Sequence, residues 1–136
     1  MPTKALGSIP ALLVLLCGSL AAAPCAPSET ALCLNASRFR VAVHWQDTRG
    51  RSGDGQAAAL TADTGYFWFF SPSNVELVVK VLDGRSNNGH YWVFYGALSD
   101  VEYTITVTDM VTGAVKTYSN TAGHLASVAD TAAFVP

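Results

Sequence analysis

Apolar and polar residues alternate with a period of two along much of this chain, and that period predicts β-strands. In residues 101–108 (VEYTITVT), Val101, Tyr103, Ile105 and Val107 share one face. Glu102, Thr104, Thr106 and Thr108 make a polar, β-branched ladder on the other. Residues 38–46 (RFRVAVHWQ) repeat the pattern, with Phe39, Val41, Val43 and Trp45 set against Arg38, Arg40, Ala42, His44 and Gln46. Residues 75–82 (VELVVKVL) set Val75, Leu77, Val79 and Val81 against Glu76, Val78, Lys80 and Leu82. That second face is half apolar, which marks a central strand. Two runs break the alternation. Residues 66–70 (YFWFF) and 91–95 (YWVFY) carry apolar side chains on both faces, as strands covered on both sides do.

Weaker strand patterns flank these. Residues 31–35 (ALCLN) read as a short strand or a strap, 56–61 (QAAALT) as a strand of small residues, and 114–119 (AVKTYS) as the hairpin partner of 101–108. Residues 124–128 read as a last strand, and 129–136 as a tail laid along an edge. Turn residues separate the runs: 63–65 (DTG), 71–74 (SPSN), 83–89 (DGRSNNG) and 109–113 (DMVTG). Pro72 stops its ladder. The seven residues 83–89 suggest a hairpin with an enlarged loop, and residues 47–55 (DTRGRSGDG), with three glycines and four charges, a mobile surface loop. No stretch has the length and period of a helix. Six to eight short strands with turns about every 8–12 residues point to an all-β fold. The expected architecture is a single antiparallel β-sandwich, immunoglobulin-like only in general layout, with a small closed barrel as the alternative.

The ends of the chain and its charge then narrow the setting. Lys4, the apolar run 9–20 and Ala21, Ala22 and Ala23 have the layout of a secretory signal peptide over residues 1–23. The apolar run is too short to span a bilayer. The expected address is secreted or periplasmic. A lead-in rich in turn residues, 24–32, precedes a sandwich over 33–136. The net charge is −2 and there is no Lys/Arg run, which argues against nucleic acid and anionic membrane as partners. Cys17 lies in the signal. Cys25 and Cys33 are eight apart, and a disulfide between them suits an oxidising compartment. Signal cleavage after Ala26 would instead remove Cys25 and leave Cys33 alone, so both outcomes stay open at this point.

FWFFSPSNVELVVKVLDG, NGHYWVFYGALSDVEYTITVTD and ASVADTAAF together resemble a recurring bacterial extracytoplasmic module, an uncharacterised domain that follows a signal peptide or is appended to larger secreted proteins. The likeness runs from Cys33 to about Phe134. It implies a complete accessory or interaction domain. It brings no catalytic or ligand residue with it.

Candidate chemistry is sparse. His44, His90 and His124 have no local metal-binding spacing, so scattered surface histidines are the simpler reading. Asp47, Asp54, Asp63, Asp83, Asp100, Asp109 and Asp130 nearly all sit at turns. Calcium could use them, but Asp is equally favoured there because it bonds its own backbone. No G-x-S-x-G stretch occurs. Glu76 and Glu102 fall on polar strand faces, where ordinary solvated carboxylates belong. No enzyme activity and no cofactor are expected. The surplus is aromatic: an outward set of Trp68, Trp92 and a tyrosine such as Tyr95 would bind an extracellular or envelope protein, or a glycan. Arg49 and Arg51, on the glycine-rich loop, are the other candidates, as the contact residues of an inhibitor of a secreted hydrolase. A structural domain that self-associates is the third reading.

Overall fold

The computed structural model describes residues 1–3, 14, 18 and 23–136. Most of the proposed signal peptide therefore lies outside the described residues. Among those described, no helix is long and apolar enough to cross a membrane.

Among the described residues, ten strands and one helical turn follow in chain order: β1 (Ala31–Leu34), β2 (Phe39–Gln46), β3 (Ser52–Asp54), β4 (Gln56–Ala59), β5 (Thr64–Trp68), β6 (Leu77–Gly84), α1 (Arg85–Asn88), β7 (His90–Ala97), β8 (Glu102–Asp109), β9 (Val115–Asn120) and β10 (Ser127–Phe134). They form two antiparallel five-stranded sheets packed as a sandwich, not a closed barrel. Sheet A runs β1-β2-β8-β9, with β3 continuing the β1 side by pairing to the far half of β2. Sheet B runs β10-β7-β6-β5-β4.

The alternation read from the sequence places the core. Phe39, Val41, Val43 and Trp45 of β2 and Tyr103, Ile105 and Val107 of β8 face inward from sheet A. Leu77, Val79 and Val81 of β6, Tyr91, Val93 and Tyr95 of β7, and Phe67 of β5 meet them from sheet B. Each such side chain taken from water contributes roughly 1.5–3 kcal/mol of transfer free energy. Phe134 closes the stack 5.1 Å from Phe39, so the tail does lie along an edge, as β10 against β7.

Four local expectations need correction. Residues 47–55 are not all loop, because Ser52–Asp54 pairs with β2 in register His44 to Asp54. Thr64 and Gly65 belong to β5 rather than to a turn, and that strand stops at Trp68. The enlarged loop after β6 contains a helical turn, ended by Gly89 at φ +80°. Glu76 is not a solvated carboxylate on a strand face. It precedes β6 and is only 4% exposed.

Two devices hold the ends. Cys25 and Cys33 form a disulfide with Cα atoms 5.7 Å apart, and the Cys25 N–H donates to the Ser37 carbonyl, so the lead-in is fastened over β1. At the other end of β8, buried Asp109 accepts from Arg38 Nε at 2.9 Å and Nη2 at 2.8 Å. Arg38 also donates to the Tyr91 hydroxyl at 2.8 Å, which ties sheet A to sheet B.

Candidate functional site

The two outer faces of the sandwich differ in kind. Opposed residues of antiparallel strands share a face, so register gives each face its membership. On sheet A, Arg40 lies opposite Thr108, Ala42 opposite Thr106, His44 opposite Thr104 and Gln46 opposite Glu102. Thr104 and Thr106 are next to Ser119 and Thr117 of β9. That face is mostly polar: its apolar members are Ala42, exposed Val115 opposite Thr108, and Ala31 and Cys33 of β1. On sheet B, Tyr66 lies opposite Val78, Val78 opposite Gly96, Lys80 opposite Phe94 and Leu82 opposite Trp92. Tyr66, Trp68, Val78, Leu82, Trp92 and Phe94 are all half-exposed. A shallow depression of about 260 Å³ lies among Thr64, Val78, Lys80, Phe94 and Gly96.

Local packing fixes the rings of this face. Gly84 lies opposite His90 at the end of the ladder, and a Cβ there would fall 2.1 Å from the Trp92 indole. Only glycine lets the ring lie across the backbone. The Trp92 Nε1–H donates to Asn88 Oδ1 at 2.8 Å, so α1 holds the indole from one side. Phe94 stands edge-on to Trp92, with centroids 6.2 Å apart and an angle of 72° between the planes. The Lys80 ammonium sits 4.9 Å from the centre of the Phe94 ring, a cation–π contact.

The residues singled out from the sequence divide between this face and other places. Trp68 and Trp92 lie on it. Tyr95 does not: its ring packs inward, 6.4 Å from Tyr103 and 5.5 Å from Tyr118. The cause is parity, since Tyr95 shares its side of β7 with Tyr91 and Val93. Burial pushes the Tyr95 phenol up and the Tyr103 phenol up to about 12. Arg49 and Arg51 lie at one end of the sandwich, in the β2–β3 turn. Asp47 accepts there from the Arg49 and Arg51 N–H groups and from Arg51 Nε. Burial would raise the Asp47 carboxyl, but these donors outweigh it and hold it below the usual carboxylate range. Arg51 also lies 5.5 Å from the Phe70 ring centre. Arg49, at the exposed tip, makes no side-chain hydrogen bond among the described residues.

The histidines keep local company. His44 pairs with Asp54, His90 with the Asn88 carbonyl and His124 with Thr121. Asp47, Asp83, Asp109 and Asp130 each accept from the N–H two residues on, which accounts for their places at turns. Among the described residues no group of three or more His, Cys, Asp or Glu could hold a metal ion.

One feature of the Arg49 end had no signal in the sequence. Three further loops converge there: residues 69–76, 98–101 and 121–126. The Gly123 N–H donates to the Asp100 carbonyl and joins two of them. Between them runs a groove of about 550 Å³, lined by Phe70, Asn74, Glu76, Leu98, Asp100 and Leu125 among others. Its lining residues are up to 55 positions apart in the chain, so no local pattern could have collected them. The outer-face residues Tyr66, Val78, Leu82 and Phe94 did carry a signal, in the half-apolar second face of residues 75–82 and the unbroken aromatic runs. No protein-family model, curated protein or solved structure matches this chain.

Proposed function

We propose that this chain is a non-catalytic accessory domain, exported from the cell, that binds a protein partner through the aromatic outer face of sheet B. The observation that carries the reading is the contrast between the two outer faces. A solvated face looks like that of sheet A, whereas half-exposed rings on β5 and β7, joined by Val78 and Leu82 of the central β6, are what an interaction surface presents. Trp92 is fixed before any partner arrives, so docking on it loses little rotamer freedom. A protein is favoured over a glycan because Trp92 and Phe94 stand at 72° and offer no shared plane for a flat sugar face. The Cys25–Cys33 disulfide suits an oxidising compartment. The resemblance to an extracytoplasmic module points the same way.

The test compares capture by the immobilised wild-type domain with capture by a Val78→Ser/Phe94→Ser variant, after circular dichroism confirms both are folded. Each is exposed to the extracellular and envelope fraction of the producing organism, and bound proteins are identified by mass spectrometry. The expected result is a protein retained by wild type and by Arg49→Ala but lost from the face variant. Equal capture by wild type and the face variant would overturn the reading. A second reading, inhibition of a secreted hydrolase, is favoured by the bracing of the Arg49 tip by Asp47. It predicts the reverse pattern, with capture of a hydrolase lost on Arg49→Ala. Mass that rises with concentration in the domain alone would point to self-association instead.

A further inference from the structure

The groove between the loops at the Arg49 end carries an inference independent of the sheet B face. Its walls are apolar and exposed: Phe70 is 43% exposed, Leu98 74% and Leu125 72%. Its charged groups are both acidic, beside the neutral Asn74 and Ser99. Glu76 lines it while 96% buried (4% exposed), and Asp100 stands beside it. Among the described residues, the only side-chain hydrogen bond to Glu76 comes from Asn74 Nδ2, and no Lys, Arg or His lies within ion-pair distance. Buried carboxylates are ordinarily paired with a cation, because a charge removed from water is costly without one. The contrast inside this protein is direct, since Asp109 has Arg38 and Asp47 has Arg51. No basic residue lines the groove. On the far side of Asp100 and Val101, a second hollow of about 340 Å³ adds Asp47 and Glu102 to the acidic side.

We infer that this groove binds a lysine or arginine side chain of a protein segment, with apolar residues of that segment seated on Phe70, Leu98 and Leu125. The guanidinium or ammonium would donate to Glu76 and Asp100. The apolar walls exclude water from that contact and so strengthen it. A free metal ion would use the carboxylates but leave the three exposed apolar side chains uncovered, which is why a peptide is the favoured occupant.

The probe is a blocked leucine–arginine–leucine tripeptide, titrated into the isotopically labelled domain and followed by backbone amide shifts. The control replaces its arginine with glutamine. Saturable shifts are expected at Asn74, Glu76, Ser99, Asp100 and Gly123 with the arginine peptide alone. Glu76→Gln, which keeps the shape of the side chain, should weaken binding about tenfold or more, the scale of a charge-assisted hydrogen bond. Asp100→Asn, at an exposed position, should weaken it less and serves if Glu76→Gln disturbs the fold. Val78→Ser/Phe94→Ser should leave it unchanged, so failure here and failure of the sheet-face reading are separately visible. Absence of shifts up to about 10 mM peptide, far above any useful affinity, would overturn the inference. Equal shifts with the glutamine peptide would overturn it too, as would calcium chloride reproducing the shifts and displacing the peptide.

Discussion

Replacing Asp109 tests whether the ion pair at the base of the sandwich holds the sheets together. Asp109 has no exposed surface and accepts four hydrogen bonds: from Arg38 Nε and Nη2, from the Val111 N–H at 3.0 Å and from Thr112 Oγ1 at 2.9 Å. Asp109→Asn keeps the volume but turns one acceptor oxygen into a donor facing donors. The Arg38 side chain is only 15% exposed, so it would be left largely out of water without its counter-charge. Removing one partner of a buried pair typically costs about 3–5 kcal/mol, against a total of roughly 5–15 kcal/mol for a domain. Arg38→Met keeps an unbranched apolar stem and removes the guanidinium, which lies over the Phe39 and Tyr91 rings. The double variant has neither an unpaired cation nor an unpaired anion. Its loss should fall short of the summed single losses by about 2 kcal/mol or more. Urea unfolding at pH 7, followed by the fluorescence of the three tryptophans, measures all four proteins. Coupling below about 0.5 kcal/mol, the usual error of additivity, would refute the reasoning.

The same pair sets an acid dependence. Burial alone would push the Asp109 carboxyl up, but Arg38, the Val111 N–H and the Thr112 hydroxyl outweigh it and hold it below the usual carboxylate range. A carboxyl depressed on folding contributes stability above its unfolded pKa of about 3.9. That contribution disappears as pH falls through the lower folded value, so the gap between wild type and Asp109→Asn should shrink on acidification below about pH 4. Two further outcomes are expected. Cys33→Ala opens a loop of nine residues and should lower stability by about 2.5 kcal/mol on the chain-entropy scale, read from the urea midpoint. Asn35, Ala36 and Ser37 all have left-handed backbones, at φ 55°, 53° and 60°. Ala36→Gly relieves about 1–2 kcal/mol of that strain and loses about 0.4–1 kcal/mol to the freer unfolded chain, so a small net stabilisation should appear in the same assay.

Period-two alternation made the core legible wherever a strand has one polar face. In β2 it gave every inward residue, and in β8 it gave Tyr103, Ile105 and Val107; Asp109, read as a turn residue, shares their parity and falls inward at the end of β8. Phase is lost where the pattern has no polar member. In residues 66–70 the strand ends at Trp68, and the next two rings leave the ladder. Phe69 stacks on Trp45 at 5.9 Å, and Phe70 meets the same indole edge-on at 4.8 Å. Glu76 failed for a related reason. Its position beside Val78 and Lys80 in the count means nothing one residue before the ladder begins. The setting of Trp92 was misread: Asp83 and Gly84 look like a turn but end β6, paired with Tyr91 and His90, and nothing local says that Gly84 is needed to make room for an indole. The groove at the Arg49 end depends on which loops the topology gathers, and that information is absent from any one window of residues.

A sheet face as apolar as the outer side of sheet B is a hazard to the free chain, because exposed apolar strands invite association. Lys80 lies near the middle of that face and is the only charge on it among Tyr66, Trp68, Val78, Leu82, Trp92 and Phe94. Its ammonium rests over Phe94 while its position stays exposed. Two copies docked face to face about a central two-fold axis would bring their Lys80 ammonium groups together, and like charges opposed at an interface are unfavourable. A partner that presents a carboxylate at that point would gain an ion pair and keep the apolar contact. If sheet B docks a partner as proposed, Lys80 would work against self-association and in favour of a partner that presents a carboxylate there.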